Sequence, residues 1–335
     1  MTLPCAELHL HLEGTLEPET IFALAERNRV TLPYADVADL ARRYDFTDLQ
    51  SFLDLYYANM ATLRTAEDFA DMTTAYLARA AAGGVRHAEV FLDPQAHLDR
   101  GIALETVLEG VSTALASSER EHGVSTGLLI AFLRDLDAEY ALRTLDRILA
   151  LGTPILGIGL DSAEVGHPPS KFAAVYDRAR AEGLHCVAHA GEEGPPSYIW
   201  EALDVLRVER VDHGVRCLED DRLVDRLVAE RIPLTVCPLS NVRLRVVPDL
   251  AAHPLREMLR RGLHVTVNSD DPAYFGGYLD DNVGATARAL DLTPADLREL
   301  AENSIEASFL DRTRKNDLLA EIEAAAEAMA PGGSR

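Results

Sequence analysis

Lysine is almost missing from this chain. Of its 32 basic residues only Lys171 and Lys315 are lysines, against 55 acidic residues and a formal net charge of −23. A field of that sign repels phosphate backbones and anionic headgroups, which argues against nucleic acid and membrane surfaces as partners. The excess acid reads as a solvated helical surface, and it leaves a homo-oligomer open. Cysteine is scarce too: Cys5, Cys186, Cys217 and Cys237 form no C-x-x-C pair and lack the dense spacing of stapled secreted domains, so they read as buried thiols in a reducing compartment. The opening MTLPCAELHLHLEG has no basic stretch leading into an apolar run, and no segment approaches 18 uninterrupted apolar residues. The expected location is therefore cytoplasmic. No repeat of 20–50 residues suggests a solenoid.

What is present is the mix of a soluble globular chain: 335 residues, 47% hydrophobic and 26% charged. Short runs rich in Val, Ile and Leu alternate with longer segments of helical period. The runs are Cys5–Leu10, Val85–Leu92, Ser125–Leu133, Ile155–Leu160, Leu184–Ala188, Val208–Asp212, Ile232–Cys237 and His264–Asn268. Helix-like stretches such as Pro169–Glu182, Asp220–Glu230 and His253–Arg261 follow them. Eight such units predict an α/β fold, a closed (β/α)8 TIM-type barrel forming one domain over 1–335. About 75 residues separate the first run from the second, far more than the dozen or so that a crossover needs. The interval holds a helix over Glu17–Arg29, a capping-box pattern at Thr47–Gln50 opening a helix toward Met60, and a third helix over Ala66–Ala81. Since the insertion leaves the catalytic end of strand one, residues about 30–65 are expected to form a helical lid. Two or three Ala/Glu-rich helices follow Leu290, and the last pentapeptide, 331–335, is expected to fray.

Chemistry in such a barrel sits at the carboxyl ends of the strands. Strand one ends in His9-Leu-His11, strand five in His189-Ala-Gly-Glu192, strand six in Asp212-His213 and strand eight in Ser269-Asp270-Asp271. Residues two apart on a strand share a face, so His9 and His11 can chelate one ion. His189 and Asp270 complete an N3O set suited to Zn²⁺, with Fe²⁺, Co²⁺ or Mn²⁺ as alternatives. His87, His97, His122, His167, His185, His253 and His264 read instead as ordinary core or surface histidines.

In combination these motifs resemble the adenosine/adenine deaminase family of metal-dependent hydrolases, and the resemblance runs from Ala6 to about Asn303. Ala6-Glu-Leu-His-Leu-His-Leu-Glu-Gly14 is similar to that family's metal-binding first strand. His189-Ala-Gly-Glu192, Val211-Asp-His-Gly214 and Asn268-Ser-Asp-Asp-Pro272 are similar to its remaining signatures. The resemblance implies one zinc ion per chain held by His9, His11, His189 and Asp270. It implies Glu192 as proton donor to ring N1 of a purine, His213 as the group that orients the attacking water and takes its proton, and Asp271 as the holder of N7. Glu192 and Asp271 have an alternative reading as supports that orient ligands.

Departures from the adenosine pattern bear on the substrate. Glu13 stands where adenosine enzymes resemble H-x-H-L-D-G, and its extra methylene is expected to push a carboxylate into sugar space or against the N9 and N3 edge of a bare base. Gly159-Leu-Asp-Ser-Ala-Glu164 replaces a glycine-bearing segment, so Ser162 crowds the same region, with Asp161 beside it. Either could be a plain loop residue. With Glu164-Val-Gly-His-Pro-Pro169 and the run that Gly191 opens, Gly191-Glu-Glu-Gly-Pro-Pro196, these look like the adenine deaminase branch. Glu13, Ser162, Asp161, Gly191 and Asp271 are thus candidate substrate contacts for a small purine. The implied reaction is adenine to hypoxanthine and ammonia in purine salvage, with adenosine or an N6-substituted adenine as alternative substrates and a non-catalytic purine binder as the remote one. A binuclear site bridged by a carboxylated lysine has no lysine at strand four, and the H-x-E with P-C-x-x-C signature of cytidine-type deaminases is missing. Tyr44, Tyr56 and Tyr57 could stack on a base, but packing within the insertion is their expected fate.

Overall fold

The computed structural model describes residues 3–329; the expectation for 331–335 lies outside them. Eight strands run in sequence order around one all-parallel sheet: β1 (Cys5–His11), β2 (Val85–Leu92), β3 (Ser125–Leu133), β4 (Gly157–Asp161), β5 (His185–Ala190), β6 (Arg210–His213), β7 (Leu234–Val236) and β8 (Val265–Val267). A parallel bridge between Leu10 and Asp270 brings the last strand back to the first. The backbone bonds that make it are His11 N–H to Asp270 O and Asp270 N–H to His9 O, both 3.0 Å. Three of the four expected metal ligands therefore lie on the seam of the barrel. β7 is shorter than its apolar run, because Pro233 has no N–H to give the ladder.

Val90, Leu92, Leu128, Ile130 and Ile158 face the helices in the main core. Phe91, Leu129, Ala131 and Val187 form a separate small cluster with Leu156 and Phe309. After β8, helices at Pro294–Ala307 and Arg312–Met329 press Ile305, Ala307, Leu318 and Ile322 onto Ala6 and Leu8 of β1. These are two of the two or three C-terminal helices expected.

The long β1–β2 interval contains helices at Pro18–Asn28, Val37–Arg42, Leu49–Asn59 and Ala66–Ala82. The last packs on the Leu104–His122 helix and β2 as an ordinary crossover, so the insertion proper ends before Thr65. The capping box lies one residue beyond its predicted place: Asp48 caps and Ser51 reciprocates, not Thr47 with Gln50. Arg243 and Arg245 donate to the carbonyls of Tyr44 (3.3 Å) and Phe46 (2.9 Å), and Tyr44 stacks on Tyr274. These contacts hold the insertion over the carboxyl ends of the strands.

Candidate metal centre and active site

The strand ends bring His9, His11, His189 and Asp270 together, with one donor atom from each within 4.8 Å of all the others. His11 Nε2 lies 3.2 Å from His189 Nε2, and Asp270 Oδ1 lies 3.5 Å from His9 Nε2 and 3.6 Å from His11 Nε2. His9 Nε2 is buried without a hydrogen-bond partner. Three imidazoles and a carboxylate converging on one point, with a bare nitrogen among them, fit a borderline cation such as Zn²⁺. Phe91 floors the cluster, stacked on His11 at 5.0 Å between ring centroids and edge-on to His9 and His189.

The far nitrogens of these rings face oxygens. His9 Nδ1 lies 3.0 Å from Thr235 Oγ1, His11 Nδ1 lies 3.5 Å from Asp161 Oδ2, and His189 Nδ1 lies 3.6 Å from Asp212 Oδ2. Such partners fix ring orientation and raise ligand basicity. Asp161, read as a substrate contact, thus lies behind His11 while also lining the cavity.

Glu192 and His213 sit against this cluster, Glu192 Oε2 3.5 Å from His213 Nε2, which lies 3.9 Å from Asp270 Oδ2. Burial first, then the charges of Asp270, Glu164 and Glu193, hold the Glu192 carboxyl well above the usual range. Burial and Asp270 do the same to Asp271. Burial, followed by His9, pushes His213 down to about 3. Both carboxyl shifts favour the protonated form, and that of His213 favours the neutral ring.

The loop bearing Glu192 is clamped from β4. Glu164 accepts the backbone N–H groups of Gly191 (2.7 Å), Glu192 (3.1 Å), Glu193 (2.9 Å) and Gly194 (2.7 Å). A Cβ at Gly194 would meet Glu164 Oε1 at 2.4 Å, so only glycine admits the carboxylate. Gly14 acts alike on the other side, where a Cβ would fall 2.0 Å from Asp271 Oδ1. Ser162, His213 and Asp270 all have positive φ (70°, 62° and 64°). Three left-handed non-glycine residues at three strand ends mark where backbone strain is held for the site.

The cavity above holds about 370 Å³ of empty space. Asp93, Asp161, Ser162, Asp270 and Asp271 line one side, and Leu49, Phe52, Leu53, Tyr56 and Tyr57 from the insertion line the other. Tyr56 and Tyr57 pack within the insertion as expected and also line the cavity, where Tyr57 donates to Ser162 Oγ at 2.9 Å. Tyr44, stacked on Tyr274, packs without reaching the cavity. Asp93 was missed altogether, although an acid directly after β2 is the same signal that identified the other strand ends.

Glu13 lies apart from the cavity lining. Its Oε1 accepts from His97 Nε2 at 2.8 Å and from Asp93 N–H at 3.1 Å. Arg100 can only donate, and it lies 2.6 Å from His97 Nδ1, so the ring proton is on Nε2 and is given to Glu13. The extra methylene carries one carboxylate oxygen to a buried histidine, and the other, Oε2, is buried without a partner. Gly191 likewise stays out of the cavity; its φ of 71° turns the chain so that its N–H meets Glu164.

Comparison with known proteins agrees with this geometry. The adenosine deaminase family model matches residues 4–325. An adenine deaminase from Streptomyces coelicolor is 64% identical over 97% of this chain and 96% of its own, and one from Rhodospirillum rubrum is 57% identical over 96% of each. The crystal structure of an adenine deaminase from Arthrobacter aurescens superposes with a TM-score of 0.97 at 63% identity, covering 97% of this chain and 100% of that one. An amidohydrolase from Burkholderia ambifaria with bound Zn superposes with a TM-score of 0.90 at 30% identity, covering 97% and 91%. With its eight-stranded barrel and its His/Asp cluster at the strand ends, this chain belongs to the adenosine deaminase family.

Proposed function

We propose that this protein hydrolyses the 6-amino group of adenine, giving hypoxanthine and ammonia, with one Zn²⁺ held by His9, His11, His189 and Asp270. The observation that carries this reading is the convergence of those four donors beside a buried Glu192, in a chain 64% identical to an adenine deaminase. Bound zinc would supply an acidified water, its pKa lowered from 15.7 to about 7.

The chain's own residues do the rest. Glu192 gives its proton to ring N1, which drains electron density from C6. Asp271, itself protonated, donates to the N7 lone pair and sets C6 toward the attacking water. His213, neutral and beside Asp270, accepts the proton that the water loses. Water adds at C6, His213 passes the proton it took to the amino group, the C6–N bond breaks as ammonia leaves, and the C6 hydroxyl returns a proton to Glu192 as the carbonyl forms.

Preference for the bare base is supported by the roof. The Tyr57–Ser162 hydrogen bond ties the insertion to the β4 loop, and Leu49, Phe52, Leu53 and Tyr56 close the cavity over the strand ends. The test is ammonia release by zinc-loaded protein on adenine and adenosine in parallel. Consumption of adenine alone is expected; preference for adenosine overturns the specificity, and silence on both overturns the activity.

A further inference from the structure

Beneath the ligand cluster lies a buried polar chain to which the reaction above assigns no role. β6 carries Arg210 and Asp212 two residues apart, and both are fully buried. Asp212 Oδ1 accepts the Thr235 hydroxyl at 2.8 Å. With its proton committed there, the Thr235 oxygen is an acceptor toward His9 Nδ1 at 3.0 Å. The Thr235 carbonyl, which can only accept, lies 3.2 Å from the same nitrogen. His9 therefore carries its proton on Nδ1, and Nε2, the buried atom with no partner, is left with a free lone pair. Asp212 Oδ2 and His189 Nδ1 also lack hydrogen-bond partners, and they face one another at 3.6 Å. The same logic puts the His189 proton on Nδ1 and its lone pair on Nε2.

The charge at Asp212 has no full counter-ion of its own. Arg210 Nη1 is bonded to Glu89 at 2.5 Å and Nη2 to the Leu8 carbonyl at 3.1 Å, whereas its Nε approaches Asp212 Oδ1 only to 3.7 Å. A buried carboxylate so placed needs positive charge from above. The two imidazole N–H groups and a cation on their far side supply it.

We propose that Asp212 is a positioning residue for the metal centre, fixing the tautomer and orientation of two of its three imidazoles, His9 through the Thr235 hydroxyl and His189 directly. Arg210 anchors the arrangement from below by holding Leu8, next to His9, and by lying against Asp212. The assignment rests on the reading of His9, His11, His189 and Asp270 as ligands.

The test is the zinc dissociation constant, measured by chelator competition at fixed pH on the full chain, for the parent protein and for D212N, T235V and T235S. The visible absorption of the Co²⁺-substituted proteins reports ligand geometry alongside. D212N is expected to weaken zinc binding by about 10- to 100-fold and T235V by about 10-fold. T235S, which keeps the hydroxyl, is expected to restore the parent constant and the parent Co²⁺ spectrum. The double variant D212N/T235V is expected to lose less than the product of the single losses, because the two groups act in one chain. Should D212N fail to fold, T235V and T235S carry the test by themselves. Parent-like zinc affinity in both D212N and T235V, or a T235V loss that T235S does not repair, overturns the proposal. Failure of the parent protein to bind zinc stoichiometrically is a different result, one that removes the metal centre and the proposal together.

Discussion

The two halves of this barrel are built on different principles. Strands β5 to β8 with β1 deliver donors from backbone positions locked in the sheet, and each donor ring is backed by a buried oxygen. The other half, β2 to β4 and the helical insertion, delivers a wall whose shape depends on side chains of the Leu49–Asn59 helix. Chemistry thus sits where the backbone is over-determined, and selectivity sits where side chains of an insertion decide the shape. A variant in the first half should change rate or metal content; a variant in the second should change which molecule is accepted.

The largest effects test the first half. Removing metal with a chelator is expected to take ammonia release to background and to lower the melting temperature, and Zn²⁺ is expected to restore both. E192Q keeps size and hydrogen bonding but has no proton to give N1. It should cut turnover by about 100- to 10,000-fold with metal content by elemental analysis unchanged at one per chain. Full activity in E192Q would remove the proton-donor role while leaving the metal centre intact.

Glu164 joins the two halves and should show an intermediate effect. Gln at this position turns an NH2 group toward backbone N–H groups that now meet a carboxylate. Denaturant titration is expected to show a loss of about 2–3 kcal/mol, and kcat should fall by up to about 100-fold as Glu192 moves off its line. Zinc content should not move, since the ligands lie outside the clamp. Loss of zinc from E164Q would mean that the halves are not separable.

The contrast also explains what was legible in the sequence. Strand positions could be read because runs of Val, Ile and Leu between helical segments have one physical meaning in an alternating chain, and all eight runs became strands. His9, His11, His189 and Asp270 could be read because the strand period and the rule of strand ends place them without knowledge of any contact. The wall resisted. On the Leu49–Asn59 helix the spacing of Leu49, Phe52, Leu53 and Tyr56 is the same whether that stripe meets a core or a cavity, so the packing of Tyr56 and Tyr57 was legible but their place on the cavity was not. The pairing of Glu13 with His97 could not be read, because the two lie 84 residues apart and nothing local signals the pair. Thr235, an isolated hydroxyl on a three-residue strand, carried no signal at all.

The smallest effects test the second half, at the bond between Tyr57 and Ser162. Y57F deletes one neutral hydrogen bond, about 1 kcal/mol, and is expected to shift the ratio of kcat/KM for adenosine over adenine upward by about 5-fold with metal content unchanged. Ser162 gives the sharper pair. Its φ of 70° strains any residue with a Cβ by about 1 kcal/mol, so S162G loses the bond but sheds the strain, and its stability should match the parent. S162A loses the bond and keeps the strain, and should be less stable by about 1 kcal/mol. Both should relax selectivity, S162G more because it also clears space. If S162G and S162A are equally selective for adenine and equal to the parent, the sugar is excluded elsewhere than at this latch, and the division of labour between the halves fails on the side of the insertion.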